Sequence, residues 1–323
     1  MAKVKNFKTI FPAVSVPLND DYSINEPEFR AYLRWIKSFY GKGIEGLVCN
    51  GHTGEITGLT RAERKRVVEI CSEECGDVMT IISGVNCENT AESIEMAKEA
   101  KEAGADGILL MPPHMWLRFG MNENAPFEYV KDVAEGADID IIIHLYPATS
   151  KAFYPVETLI KMCKEIDHVK CIKMGTRVTS IYEHDVRLLR QECPDISLIT
   201  CHDETLCVSW FPGMDGALIG FAGCVPELIC PAREVFANPE KHTLKEAQDW
   251  SDRIYYISQA IYGGGQPSGE AHARLKEALV QRGVFSSGLM RKPVLPLNQE
   301  EKDWIAKGLA GSELGKVDMT PYK

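Results

Sequence analysis

The chain alternates short apolar runs with longer amphipathic stretches along most of its length. Eight of the runs are nearly all apolar, which is typical of strands that are buried on both faces of a parallel sheet. Their starts are about 19 to 36 residues apart, which leaves room for a helix and two loops after each strand. We therefore predict strands over residues 11–18, 43–51, 79–86, 105–113, 140–147, 169–175, 197–203 and 216–222.

The stretches between these strands carry helix signals. Thr60 and Glu63 form a capping-box pattern that opens a helix, and Gly104 is suited to follow the end of another. We predict helices over residues 26–40, from 61 onwards, 90–103, 126–134, 155–166 and 178–191, with short helices after the last two strands. Eight such units without a break in composition predict an α/β fold, a (β/α)₈ TIM barrel. A doubly wound open sheet is the alternative, but no glycine-rich phosphate-binding pattern follows the first strand.

The barrel is expected to occupy residues 1–236. Residues 237–311 read as a C-terminal helical extension, with helices over about 242–261, 269–282 and 299–309 that are interrupted by glycines at 263–265 and by residues 286–288. Residues 312–323 form a polar tail. We expect the additional C-terminal helices to lie beside the barrel or at a contact between subunits.

Composition narrows the possible partners. The 323-residue chain has a formal net charge of −10 and no basic block, which argues against nucleic acid or an anionic membrane as a partner. No apolar run reaches the ~18 residues of a membrane span. The eleven cysteines form no C-x-x-C pair, so we expect reduced thiols in a cytoplasmic protein that acts on a small molecule.

A lysine ends the sixth predicted strand. Because side chains alternate along a strand, Val169, Cys171 and Lys173 share one face. Burying an ammonium group is unfavourable, so an amine placed there tends to lose its proton. A neutral amine is a nucleophile that can form a Schiff base with a ketone. The alternative is a lysine that extends from the strand end into solvent.

In a barrel of this kind the chemistry takes place at the carboxyl ends of the strands. The second strand is followed by Gly51, His52, Thr53 and Gly54, where the two glycines permit a tight turn. The backbone amides of that turn and the Thr53 hydroxyl would suit a carboxylate. The alternative is an ordinary turn in which the threonine caps the next helix.

Other strand ends also carry polar side chains. His144 and Tyr146 are two residues apart on the fifth strand, so they share a face and could move protons. A purely structural role for both is the alternative. His114 follows the fourth strand, and His202 and Asp203 end the seventh.

Several of these motifs together resemble the dihydrodipicolinate synthase / N-acetylneuraminate lyase family. They are the 51–55 loop, the Tyr-Pro end of strand five, the strand that contains Lys173, and the segments 12–18 and 291–297, in the family's order and spacing. The resemblance covers roughly residues 8–310. It implies a class I aldolase-type lyase on a TIM barrel, in which Lys173 forms an imine with pyruvate or another 2-oxo acid. It also implies that this covalent imine replaces any cofactor or metal, and that the chain forms a homo-oligomer, a tetramer or a dimer.

The resemblance assigns further roles. It implies that Gly51, His52, Thr53 and Gly54 bind the carboxylate of the 2-oxo acid, although His52 stands where the family usually has a hydroxyl residue. The family pattern Tyr-x-x-Pro on strand five places His144 at the position of the tyrosine, with Tyr146 nearby. We expect Tyr146 to shuttle protons, and His144 is the alternative.

The region after strand four departs from the family synthases. His114 and Trp116 replace an aromatic pair, and His114 is expected to bind substrate. The loop at 149–151 lacks the arginine of the synthases, whereas Arg177 or Lys151 could meet a distal anionic group. We therefore expect a divergent member rather than a strict dihydrodipicolinate synthase.

The leading hypothesis is a Schiff-base-forming lyase, of the aldolase or synthase type, that acts on a 2-oxo acid. A 2-keto-3-deoxy sugar acid dehydratase or a hydratase-aldolase would use the same scaffold. Two hypotheses of other classes remain. One is a metal-dependent barrel that uses His52, His144, His202 and Asp203, and the other is a protein that binds an oxo acid without turnover. The identity of the 2-oxo acid, its aldehyde partner and the direction of reaction stay open.

Overall fold

A computed structural model describes residues 3–263 and 268–323 of the chain. In these residues eight parallel strands form one sheet: β1 (Ile10–Pro12), β2 (Gly46–Cys49), β3 (Thr80–Val85), β4 (Gly107–Leu110), β5 (Asp140–Leu145), β6 (Val169–Met174), β7 (Ser197–Thr200) and β8 (Gly216–Ile219). The sheet order is β1-β8-β7-β6-β5-β4-β3-β2, and a bridge between Ala13 and Val48 joins its two ends. The sheet therefore closes, and the predicted (β/α)₈ barrel is confirmed.

Helices cover the outside of this barrel. They are α1 (Glu26–Lys37), α2 (Arg61–Cys75), α3 (Thr90–Glu102), α4 (His114–Phe119), α5 (Ala125–Ala137), α6 (Val156–Glu165), α7 (Thr179–Glu192), α8 (Leu206–Trp210), α9 (Phe221–Cys224) and α10 (Pro226–Ala237). The capping box of Thr60 with Glu63 opens α2 as predicted. The threonine of the 51–54 turn therefore does not cap this helix.

The structure differs from the sequence prediction mainly at element ends. The strands are shorter than the apolar runs, because residues such as Val14 and Val16 stay buried after the chain has left the ladder. Helix α4 lies where the sequence predicted no helix. The helices that follow the last two strands are short, as expected, but α9 is continued by the longer α10.

Three further helices form the C-terminal extension: α11 (Leu244–Tyr262), α12 (Gly269–Gln281) and α13 (Gln299–Gly311). Helix α11 contacts α10, and α12 contacts α9 at the barrel mouth, so the extension lies beside the barrel as predicted. Helix α11 ends before Gly263, and the other two glycines of the predicted interruption lie outside the described residues. The proposed domain limits at 236 and 311 stay predictions.

The cysteines, the apolarity of the helices and the C-terminal tail complete the description of the fold. The eleven cysteines are free thiols, nine of them buried. Across the described ranges we find no helix with the length and apolarity needed to span a bilayer. In the tail, Met319 is buried and the backbone amide of Val317 donates to the carbonyl oxygen of Arg282 at 2.8 Å, so this part of the tail lies against the extension.

The glycine after β6 leaves no room for a side chain. A Cβ at Gly175 would lie 2.0 Å from the carbonyl oxygen of Leu145 at the end of β5. We expect Gly175→Ala to lower the free energy of unfolding by about 1–3 kcal/mol, because the backbone of β5 must move. Denaturant unfolding measures the loss. Gly269→Ala is the matched control, since a Cβ there meets no atom of the described residues within 4 Å, and an equal loss in both variants would contradict the prediction.

Candidate active site

The carboxyl ends of the strands surround a cavity of about 310 Å³ that contains the lysine of β6. Side chains from the barrel strands, from the loops after them and from the C-terminal extension line it. They are Ala13, Gly51, His52, Thr53, Leu109, His114, Leu117, His144, Tyr146, Pro147, Lys173, Arg177, Cys201, Asp203, Leu218, Gly220, Tyr262 and His272. The predicted site residues meet here, except Gly54. Gly54 belongs to the turn but does not line the cavity. A Cβ atom at this position would lie 3.0 Å from the carbonyl oxygen of Val14.

Lys173 reaches the cavity from the penultimate position of β6. Its neighbours in register are His144 on β5 and Ile199 on β7, so Lys173 and His144 lie side by side on one face of the sheet. Desolvation lowers the pKa of Lys173, while Cys201 and Asp203 oppose that shift. The solvent-extended lysine of the alternative interpretation is not what the structure contains.

The turn after β2 has the geometry of an anion site. Asn50 and Glu55 bracket it with left-handed backbone angles, φ 52° and φ 56°. Within it, the backbone amides of Gly54 and Glu55 donate to carbonyl oxygens of the same turn. Among the described residues, the amides of His52 and Thr53 have no backbone acceptor, and the Thr53 side chain lines the cavity. Two amides and a hydroxyl are thus available to a carboxylate.

A buried ion pair fixes this turn from below. The ammonium group of Lys276 on α12 donates to the Glu55 carboxylate and, at 2.8 Å, to the carbonyl oxygen of Leu289. The second Glu55 oxygen accepts the backbone amide of Arg291 at 2.9 Å. The Lys276 side chain is fully buried and that of Glu55 is 8% exposed, so the pair is closed to solvent.

The ring of His52 in the turn meets the rings of His144 and Tyr146 from strand five. The Tyr146 hydroxyl lies 3.3 Å from His52 Nε2, and the His144 and Tyr146 ring centroids are 4.9 Å apart. Burial lowers the pKa of His52 to about 3 and that of His144 well below its ordinary value, and the nearby Lys173 adds to both shifts. Burial also raises the pKa of Tyr146. All three groups are therefore uncharged near neutral pH.

Both strand-five candidates face the cavity, so the geometry does not choose between them. His144 is nearer to Lys173 along the sheet, and its Nδ1 atom is buried without a hydrogen-bond partner in the described structure. Tyr146 lies just beyond the end of β5 and has His52 as a hydrogen-bond partner. The two residues occupy different depths of one wall.

The fourth strand supplies the outer part of the cavity. His114 begins α4 and lines the cavity, with its Nε2 atom 3.4 Å from Asn86 Nδ2. Trp116 instead lies in the core, where its ring meets Tyr129 and Tyr154 at centroid distances of 5.6 and 6.2 Å. Of the two residues expected to replace the aromatic pair, only His114 faces the cavity.

Sequence reasoning missed two residues of the extension. Tyr262 ends α11 and His272 lies in the first turn of α12, and both line the cavity more than 80 residues after Lys173. No spacing rule of the barrel reaches these helices. The sequence indicated only a possible metal-binding role for Asp203. This residue lies just after β7, at the carboxyl end of the strands where the chemistry of such barrels takes place, as do His144 on β5 and Lys173 on β6.

Arg177 lines the cavity but is held in an ion pair with Glu204, and His202 does not line this cavity. The Arg177 guanidinium already has protein partners. Its Nε atom donates to Glu204 at 2.5 Å, and its Nη1 atom donates to the carbonyl oxygen of Gly175 at 2.9 Å. His202 lines a separate cavity between α7 and α8. Within residues 3–263 and 268–323, no three His, Cys, Asp or Glu side chains are arranged to hold a metal ion.

Comparison with known sequences gives matches over nearly the whole chain. The model of the dihydrodipicolinate synthetase family matches residues 6–311. A 4-hydroxy-tetrahydrodipicolinate synthase of Bartonella bacilliformis is 26% identical over 311 residues, which cover 96% of this chain and 99% of the relative. An uncharacterized DapA-like lyase of Pyrococcus horikoshii is 30% identical over 292 residues, which cover 90% of this chain and 95% of the relative.

Solved structures show the same fold. YagE, a prophage protein of E. coli K12 in complex with pyruvate, superposes with a TM-score of 0.84 at 21% identity, over 95% of this chain and 99% of that chain. A monomeric dihydrodipicolinate synthase variant gives a TM-score of 0.84 at 19% identity, over 95% of this chain and 97% of that chain. Likeness at such identities concerns the fold alone.

Removing the cation from the buried pair should destabilise the protein strongly. We expect Lys276→Met to lower the free energy of unfolding by about 3–5 kcal/mol, because Glu55 is left buried without its counter-charge. Lys302→Met is the control, since the partly exposed Lys302 pairs with Glu277 at 3.6 Å and should contribute only about 0–1 kcal/mol. Denaturant unfolding measures both, and a loss below about 1 kcal/mol in Lys276→Met would refute the assignment.

Proposed function

The chain belongs to the dihydrodipicolinate synthetase family, and we propose that within it Lys173 forms the Schiff base with pyruvate or another 2-oxo acid. The family members are class I lyases, so the resemblance found in the sequence is confirmed at this level. One observation carries the finer assignment. Lys173 is the lysine that lines the cavity at the carboxyl ends of the strands, and desolvation lowers its pKa.

The lowered pKa is what the reaction requires of this amine. An ammonium group has no lone pair, and only the neutral amine adds to a ketone. Burial disfavours the charged form, so a useful fraction of Lys173 is neutral nearer to physiological pH than for a free lysine. The resulting iminium withdraws electrons from the adjacent carbon, and an enamine can then form there.

The turn after β2 supports the carboxylate end of the substrate. His52 and Thr53 line the same cavity as Lys173, and their backbone amides have no backbone acceptor among the described residues. A 2-oxo acid held there by its carboxylate would present its ketone towards the lysine. The neutral His52 ring would contribute a hydrogen bond rather than a charge.

The second half of the substrate determines which reaction follows. Addition of an aldehyde, cleavage of an aldol and loss of water all proceed from the same enamine, so aldolase, synthase and dehydratase or hydratase-aldolase activities share this site. The outer cavity is lined by His114, Leu117 and Pro147. Arg177 is neutralised by Glu204, so the distal part of the substrate meets a mainly uncharged wall. Homo-oligomer formation and cytoplasmic location stay predictions.

Trapping the imine tests the role of Lys173. We expect borohydride with pyruvate to increase permanently the mass of the peptide that contains Lys173, and Lys173→Ala to abolish this labelling. Lys170→Ala is the matched control, because Lys170 lies on the same strand but is exposed and donates to the carbonyl oxygen of Asp167 at 2.6 Å. Peptide mass spectrometry reads the result. Absence of labelling by a panel of 2-oxo acids would sink the proposal.

Exchange of the pyruvate methyl protons with deuterium tests which residue on the fifth strand shuttles protons. We expect Tyr146→Phe to slow the exchange by about 10²–10⁴-fold, because its hydroxyl is the proposed carrier of the proton. His144→Asn should slow it less. Proton NMR in D₂O measures the exchange, and labelling of Lys173 confirms that each variant still forms the imine. The reverse order of effects would assign the shuttle to His144.

A further inference from the structure

We propose that Asp203 is a catalytic acid of this site, which protonates the leaving hydroxyl when the imine forms on Lys173. This inference rests on the proposed function and adds a residue that neither the sequence motifs nor the proton shuttle on β5 include. It assigns the loss of water during imine formation to the side of the cavity that β7 and α11 form.

The position of Asp203 is fixed by the fold. It opens the turn Asp203–Thr205 after β7 and is 8% exposed, and its side chain lines the cavity that contains Lys173. Its Oδ1 atom accepts the backbone amide of Phe221 at 2.8 Å, which orients the carboxyl group. The Phe221 ring in turn meets the Tyr262 ring edge-on at a centroid distance of 5.2 Å.

The surroundings of this carboxyl group suit an acid. Desolvation raises the pKa of Asp203 to about 7, Glu204 adds to the shift, and the Phe221 amide, Tyr262 and Lys173 oppose it. The titratable and charged groups around it come from every neighbouring element. They are Lys173 on β6, Arg177 after β6, Cys201 and Glu204 beside it in the chain, Tyr262 on α11, and His52 and His272 across the cavity.

Three histidines and a tyrosine of the cavity are poor acids near neutral pH. His52, His144 and His272 are neutral because burial lowers their pKa values, to about 3 for His52 and about 4 for His272. A neutral imidazole gives up its remaining proton only with difficulty, and burial raises the pKa of Tyr146. Asp203 is therefore a stronger acid at that pH than these three histidines and Tyr146.

The step balances in atoms and charge. Neutral Lys173 Nζ adds to the ketone carbon, and a proton moves from nitrogen to oxygen to give an uncharged carbinolamine. Protonated Asp203 then donates its proton to that hydroxyl, the carbon–oxygen bond breaks, and its electron pair leaves with water. The nitrogen lone pair forms the C=N bond. The products are an iminium cation at Lys173, a carboxylate on Asp203 and water, and the residues that carry the two new charges line the same cavity.

Rapid-quench borohydride trapping with pyruvate tests the assignment. We expect Asp203→Asn to lower the rate of imine formation by about 100-fold, within the range for general acids, and to reach the wild-type end point of labelling on Lys173. Asp203→Glu should restore part of the rate.

The control is a second buried carboxyl group. Asp185 on α7 is 2% exposed and desolvation raises its pKa to about 6, but it does not line the cavity. Asp185→Asn should therefore leave the trapping rate unchanged. Equal slowing in Asp185→Asn and Asp203→Asn would show a general effect of lost buried carboxyl groups and would overturn the proposal.

The pH profile of the wild-type protein is a second, independent readout. The rate of imine formation should rise with pH as Lys173 loses its proton, and should stop rising above about pH 7, because Asp203 loses the proton it must donate. In Asp203→Asn the rate should continue to rise above pH 7. If that variant does not fold, a wild-type rate that rises steadily to pH 9 would still overturn the assignment.

The two proposals fail differently. No labelling of wild-type protein by any 2-oxo acid would remove the proposed function and this inference with it. Normal labelling of Lys173 in Asp203→Asn at the wild-type rate would remove only the role of Asp203.

Discussion

The ion pair between Glu55 and Lys276 is the contact on which the rest of the site depends. Two opposite charges are closed to solvent there, and each has a second hydrogen bond, to the Leu289 carbonyl oxygen and the Arg291 amide. The pair joins a strand-two turn to a helix more than 200 residues later in the chain. Glu55 has left-handed backbone angles, which non-glycine residues rarely adopt, and the ion pair holds the turn in this conformation. In this conformation the backbone amides of His52 and Thr53 have no backbone acceptor among the described residues.

Desolvation then sets the chemistry of everything that faces the cavity. The same burial that lowers the pKa of Lys173 lowers those of His52 and His144 and raises that of Asp203. The result is a set of polar groups that are mostly uncharged while the substrate brings the negative charge. An iminium cation formed in such a place would interact strongly with the few charges nearby, since little water screens them.

Much of the fold and part of the site could be predicted from the sequence. Strands buried on both faces are apolar along their length, so eight runs were enough to identify the barrel, and the rule of strand ends then located Lys173, Thr53 and His144. The burial of Trp116 in the core could not be predicted, because α4 directs it there and sequence spacing does not reveal a six-residue helix without a side-chain cap. Tyr262 and His272 could not be found, since their approach depends on how α11 and α12 lie across the barrel mouth.

The limit of the barrel that was predicted at residue 236 is not a limit of the cavity. The extension contributes Lys276, which pairs with Glu55 at the end of the strand-two turn. It also contributes Tyr262, which lines the cavity together with Asp203. The proton carriers proposed on β5 and Asp203 after β7 flank Lys173, which lies between them on β6. If imine formation and enamine protonation use separate strands, either strand can change without loss of the other step. That separation offers a physical route by which a divergent strand five, with His144 in place of a tyrosine, remains compatible with the lysine chemistry of the family.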